Sequence, residues 1–216
     1  MRHGNILSVF ILIMLTASAT GCLYHKPAFT GKVIDAETKE AIAGAVVVVA
    51  YHKAAMGLGA GQISSIINVR ETLTNRDGIF QIPSYTTVIL PFTWQTDATF
   101  LIFKPGYGSF PRNQSYPPSL GLSDDEIFFS AGIGAEREFE VFTSAWKREM
   151  VKVKLEIVEL PKLRTREERI KAKPSPVGEP SDWKKQKLLI KALRDEYRFL
   201  FNEDPGSLYE YTIKEN

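Results

Sequence analysis

The stretch Phe29–Ala50, FTGKVIDAETKEAIAGAVVVVA, decides how this chain is read. Thr30, Lys32, Val33 and Asp35 alternate as on a half-buried strand, and Asp35 to Ile42 is a polar turn. Gly44 to Tyr51 is then a continuous β-branched run, the pattern of a strand buried on both faces. A second block follows at Glu71 to Ser84, ETLTNRDGIFQIPS. In it Asn75-Arg76-Asp77-Gly78 predicts a hairpin turn between two short strands, with Gly78 supplying a positive φ. Thr99 to Tyr107, TFLIFKPGY, reads as a third apolar strand that stops at a Pro-Gly turn.

Working outward, Ile66 to Asn75 reads as the strand leading into the Asp77-Gly78 turn. Met150 to Leu160, MVKVKLEIVEL, alternates strictly. It predicts one closing strand with Val151, Val153, Leu155 and Ile157 inward and Lys152, Lys154 and Glu156 outward. Pro161 marks the edge of this unit. Thr165 with Glu168 spells a capping box, predicting a short charged helix to about Lys173. After the proline-rich linker Lys173–Pro180, Ser181 caps an amphipathic helix to about Phe201, with Ile190, Leu193, Tyr197, Leu200 and Phe201 on one face. A basic stripe of Lys184, Lys187, Lys191, Arg194 and Arg198 runs beside that face, interrupted by Asp195 and Glu196. The helix either docks on the sandwich or meets anionic lipid or a partner.

The three N-terminal blocks together resemble the carboxypeptidase regulatory-like (peptidase-associated, transthyretin-like) family. The residues carrying the resemblance are Gly31-Lys32-Val33-Ile34-Asp35, Ala43-Gly44-Ala45-Val46-Val47-Val48, Thr74 to Phe80 with Ile82-Pro83, and Lys104-Pro105-Gly106-Tyr107. The resemblance implies a mainly β protein, a seven-stranded Greek-key transthyretin/prealbumin-like β-sandwich over residues 29–160, with residues 161–216 as linker and C-terminal helical appendage. It implies no activity, because such domains accompany peptidases, outer-membrane receptors and surface proteins without doing chemistry.

The N-terminus gives an address. Arg2 and His3 precede an apolar run, Ile6–Leu15, then Thr16–Gly21, and then Cys22, the one cysteine in 216 residues. The run is short for a membrane span, which needs roughly 20 residues. This arrangement resembles a bacterial lipoprotein signal peptide over residues 1–21, although Ala19 stands where that family prefers Leu. The resemblance implies that Cys22 becomes the lipidated N-terminus of the mature chain. Several acyl chains such as palmitate, at about 0.8 kcal/mol per buried methylene, make a stable anchor. Leu23 after the cysteine, rather than Asp, points to outer-membrane sorting, and residues 22–28 read as a tether.

Composition excludes more than it selects. A formal charge of +2 gives no case for nucleic-acid binding, and one cysteine allows no intramolecular disulfide. No cofactor is indicated. There is no HExxH or GxSxG, and His25 and His52 are the only histidines after the signal, so no metal site is expected. The Gly57, Gly59 and Gly61 string lacks the Lys-Ser/Thr and helix context of a phosphate loop. Asn75–Gly78 lacks the further carboxylates of a calcium loop. Asp124-Asp125-Glu126 reads as helix-start chemistry, and Glu136, Glu138 and Glu140 as the wet face of a strand.

Aromatics in the two insertions, Tyr85 and Trp94 in the first and Tyr107 and Tyr116 in the second, either cap the sandwich or face a ligand. The expectation is a membrane-anchored envelope module, not an enzyme, held by the lipid on Cys22 and meeting an envelope protein or a glycan. The alternatives are an accessory or cryptic periplasmic hydrolase acting on peptide or glycan, although nothing in the sequence points to a Ser-His-Asp site on His52, and a carbohydrate-binding module using those aromatics.

Overall fold

The computed structural model describes residues 23–57, 61–113, 116, 120–129, 132–144 and 147–203. Cys22 and the apolar run before it lie outside the described residues. The molecule is mainly β, with a few short helices. Three strands form one principal sheet: β2 (Phe29–Asp35) at the centre, β5 (Ile79–Ile82) antiparallel to it, and β12 (Ile157–Leu160) parallel to it. The other principal sheet has five strands, in which β3 (Val46–Met56) lies between β4 (Gln62–Leu73) and β8 (Thr99–Phe103). β9 (Ser109–Phe110) extends it beyond β8. The far end of β3 pairs instead with β7 (Thr93–Gln95), Ala54 opposite Trp94.

β3 is buried on both faces, as its run of valines predicts. Val47, Val49 and Tyr51 point into the core between the sheets, with Phe29, Phe80, Phe100 and Ile102. Val46, Val48 and Ala50 point the other way, into a second apolar layer with Leu189 and Leu193. Those leucines belong to the helix Lys187–Phe201, whose apolar face therefore docks on the sheet. Each fully buried aliphatic side chain contributes about 1.5–3 kcal/mol, so the helix-covered layer is a second core.

The Asn75–Gly78 turn differs from its sequence reading. Asn75 Oδ1 accepts the amides of Asp77 at 3.0 Å and Ile79 at 2.9 Å, and Gly78 has φ +73°. A Cβ on Gly78 would lie 2.4 Å from the Val33 carbonyl oxygen. The turn is tight, yet its flanking strands are not ladder partners: β4 pairs with β3 and β5 with β2. It is a corner that carries the chain from one sheet to the other. Among the described residues there are twelve strands: eight lie in the two principal sheets and the other four form two appended pairs. One is β1 (Leu23–Lys26) on β6 (Tyr85–Val88); the other is the hairpin β10 (Glu136–Ser144) and β11 (Lys147–Lys154).

Three further expectations are corrected. The segment read as a tether is strand β1, with Tyr24 fully buried and Lys26 nearly so. Met150–Leu160 is not one strand. Glu156, at φ +61°, breaks it between β11 and β12 and reverses the alternation, so Val158 and Leu160 point inward. Glu156 itself is buried, its carboxylate accepting from the Thr30 hydroxyl at 2.8 Å and the Gly132 amide at 3.0 Å. A buried carboxylate needs such donors to offset lost hydration.

The C-terminal part has three helices, not two. In chain order after α1 (Asp124–Phe128), α2 (Arg166–Ala172) starts on the expected Thr165–Glu168 capping box. Ser181 lies inside a single turn, α3 (Pro180–Trp183), and α4 is the Lys187–Phe201 helix. Glu71 on β4 accepts the Leu188 amide at 2.7 Å and the Leu189 amide at 3.1 Å at the start of α4. Arg169 on α2 grips Glu196 on α4 through two bonds, at 2.7 and 2.6 Å.

Both apolar layers hold the fold, so Leu189→Ala in the helix layer should cost as much as Ile102→Ala in the inter-sheet core. Each is expected to destabilise by about 2–5 kcal/mol, read as a shift in urea-unfolding midpoint. A neutral Leu189→Ala would make α4 an ornament.

Candidate functional site

Two concave features lie toward opposite ends of β2, one touching Ile34 and the other Phe29. The larger is a groove of about 570 Å³ between β12 and the β10–β11 hairpin. Its apolar floor is Ile34, Tyr116, Val151, Val153 and Ile157, and Lys39, Lys152, Lys154 and Glu159 stand around it. The charges are paired: Lys39 with Glu159 at 2.6 Å, Lys152 with Glu138 at 3.4 Å, Lys154 with Glu136 at 3.9 Å. Exposed pairs of this kind add about 0–1 kcal/mol each, so they leave the rim able to exchange partners. Alternating β11 puts Val151 and Val153 on the floor and Lys152 and Lys154 on the rim, where Glu138 and Glu136 of β10 pair with them.

The smaller feature is a pocket of about 210 Å³ where β1 meets α1, touched by His25, Lys26, Phe29, Gln95, Asp125 and Phe129. Lys26 forms an ion pair with Asp125 here. Asp125 Oδ1 also accepts the Ala98 amide at 2.9 Å, and Asp124 Oδ2 the Phe100 amide at 2.7 Å. Ser123 and Glu126 close a capping box around the same helix start. Burial, reinforced by the neighbouring charges of Asp125 and Asp97, pushes the Asp124 carboxyl up to about 6, against the pull of the Phe100 amide. Burial also raises Asp125, with Lys26 only partly offsetting it.

Behind that pocket Tyr24, Tyr51 and Tyr85 stack together. Tyr51 and Tyr85 have ring centroids 4.6 Å apart, and Tyr24 meets Tyr51 edge-on at 6.4 Å. The Arg70 guanidinium lies 4.9 Å above the Tyr85 ring. Burial pushes the Tyr51 phenol up to about 12. Next to this cluster His52 Nε2 is 2.9 Å from the Thr99 hydroxyl, and burial lowers the pKa of its ring. Its hydrogen-bond partner is a threonine, not the serine that a hydrolase triad would need. Among the described residues no three His, Cys, Asp or Glu side chains are placed to hold a metal ion.

No family model, curated protein or solved structure matches this chain.

The four aromatics singled out from the sequence do not share a surface. Tyr85 lies in the tyrosine cluster, and Trp94 lies on β7 opposite Ala54 with 41% of its surface exposed. Tyr107 bridges to Lys162 at the other end of β2. There Asp35 is held below the usual carboxylate range by the Thr38 and Glu37 amides, with the Tyr107 hydroxyl adding to them. The two ends of β2 are about 20 Å apart at roughly 3.3 Å per residue. Tyr116 is buried; its hydroxyl donates to the Ile157 carbonyl at 2.7 Å and accepts the Ile157 amide at 3.2 Å. Of the four, only Tyr116 lines the groove. Sequence reading missed Tyr24, Lys26 and Glu156 as interior residues, because each sits where a tether or a wet face was expected.

A carboxyl whose pKa rises on folding favours the folded state in its protonated form. The Asp124 contribution is thus whole below its unfolded pKa near 3.8 and is lost as pH rises through about 6. Urea midpoints measured from pH 4 to 7 should fall across that window, with Asp125 acting in the same direction. Asp124→Asn should flatten the fall; an unchanged slope would mean Asp124 titrates normally.

Proposed function

We propose that this chain is a lipid-anchored envelope lipoprotein whose non-catalytic β-sandwich serves as a binding or assembly module.

 The observation that supports this reading is how close to Cys22 the folded sandwich comes. Leu23, the residue after Cys22, is already paired with Val88 in a strand, and Tyr24 is fully buried in the tyrosine cluster. A lipid on Cys22 would hold the sandwich against the membrane with no spacer between them. The two corners that pass the chain between sheets, at Asp35–Ile42 and Asn75–Gly78, suit a Greek-key, transthyretin-like arrangement of the principal strands. Outer-membrane sorting follows from Leu23 at the position after the cysteine. The apolar floor and exchangeable ionic rim of the β11–β12 groove suit an extended envelope partner rather than a reacting small molecule.

The test is the intact mass of protein extracted from membranes, wild type beside Cys22→Ser. The expected wild-type species starts at Cys22 and carries acyl mass, and the substituted chain lacks it. A wild-type chain that is soluble, unmodified and cut elsewhere would overturn the reading.

A further inference from the structure

We infer that the end of the sandwich from which the chain emerges toward Cys22 inserts into the bilayer surface, so that the domain itself is a second membrane contact beside the lipid. The inference rests on the lipoprotein reading and adds a site to it.

Exposed large apolar side chains gather at this end. Leu23 faces Val88 across the β1–β6 pair, and both are exposed. Beyond Val88 the chain turns through Leu90 and Phe92, where the Thr93 amide donates to the Leu90 carbonyl at 3.2 Å. Phe92 is 92% exposed at the tip of that turn. The turn leads into β7, which carries Trp94 and pairs with the last residues of β3. There Met56, 85% exposed, and Ile63 mark the neighbouring β3–β4 end. β1 is tied to β7 through the His25 amide, which donates to Gln95 Oε1 at 3.3 Å. The pairing thus brings two apolar tips and the start of the described chain to one end.

The charge pattern favours lipid over a second copy of the chain. Residues 23–28, 51–57, 61–66 and 83–96, which build this end, contain no aspartate or glutamate, whereas His25, Lys26, His52 and Lys53 fall within them; the next acid along the chain is Asp97, just past β7. The acids on α1 are occupied: Asp125 pairs with Lys26, Asp124 accepts the Phe100 amide, and Glu126 closes its own helix cap, which leaves Asp97 as the exposed acid at the edge of this end. An apolar tip ringed by basic and aromatic groups matches an interface of acyl chains and anionic headgroups, where tryptophan also concentrates. Cys22 lies one residue, about 3.8 Å between Cα atoms, from Leu23. Acyl chains on Cys22 would therefore enter the bilayer beside Leu23 and Val88, and insertion of the tips to a depth of about 5–10 Å is the usual range for interfacial elements.

The experiment uses the full-length protein, processed in cells and reconstituted into phosphatidylethanolamine–phosphatidylglycerol vesicles with brominated acyl chains. Trp146→Phe and Trp183→Phe leave Trp94 as the one tryptophan reporter. The expected result is quenching of Trp94 by the bromines. Phe92→Asp, alone or with Leu90→Asp, should abolish the quenching while acyl mass and circular dichroism stay unchanged. Met150→Glu, exposed on β11 outside this end, should leave it intact. An acylated protein whose Trp94 is unquenched would overturn the inference while leaving the lipoprotein reading in place. So would quenching that ignores Phe92→Asp, or Trp94 shielded by cross-links to a second copy. If the wild type carries no acyl mass, the lipoprotein reading fails on its own. Vesicle binding by that unacylated chain then decides: quenching that depends on Phe92 keeps the inference, and no quenching overturns it.

Discussion

One strand with two dry faces constrains the whole molecule. Because successive side chains of β3 point to opposite sides, its valines demand a cover on each, and a single opposing sheet can supply only one. The sheet of β2, β5 and β12 covers Val47, Val49 and Tyr51; α4 covers Val46, Val48 and Ala50. The helix is thereby bound to the same strand as the sandwich. Glu71 at its start and the Arg169–Glu196 pair along its length fix where it lies.

Carboxylates show a second theme. Glu71, Asp124, Asp125 and Glu156 each accept at least one backbone amide from another segment. Glu196 does the same for Gly106 at 3.1 Å. Amides at strand and helix ends have no ladder partner, and an ionised acceptor satisfies them with a stronger bond than a neutral one. These carboxylates seat the ends of β8, α4 and the segment before β10.

How much of this was legible in the sequence depended on the range of the interaction. The β3 run, the tight turn at Gly78 and the Thr165–Glu168 capping box are local, and each is written in consecutive residues. That the Gly78 turn is a corner and not a hairpin depends on which distant strands β4 and β5 choose, β3 and β2, and no local spelling records that choice. Glu156 misled because its left-handed backbone reverses an alternation that is otherwise unbroken from Val151 to Leu155. The tether misread came from four residues, Leu23–Lys26, too short to show a period, whose burial is supplied by Tyr51, Tyr85 and Asp125. The candidate aromatics were grouped by composition, and the fold separated them along β2.

The parallel pairing of β2 with β12 sets an order of events during folding. Lys32 donates its amide to the Glu156 carbonyl at 2.7 Å, and Lys32 stands opposite Ile157 in the ladder. Closing that contact spans well over a hundred residues, on the order of the largest loops a single domain must close, so its entropic cost is met late. Until β12 arrives, one edge of β2 is an open template for another strand, the condition in which chains pair wrongly with their neighbours. The β12 edge of β2 is thus the last part of this sheet to close, and the interval before it closes is the chain's period of greatest vulnerability.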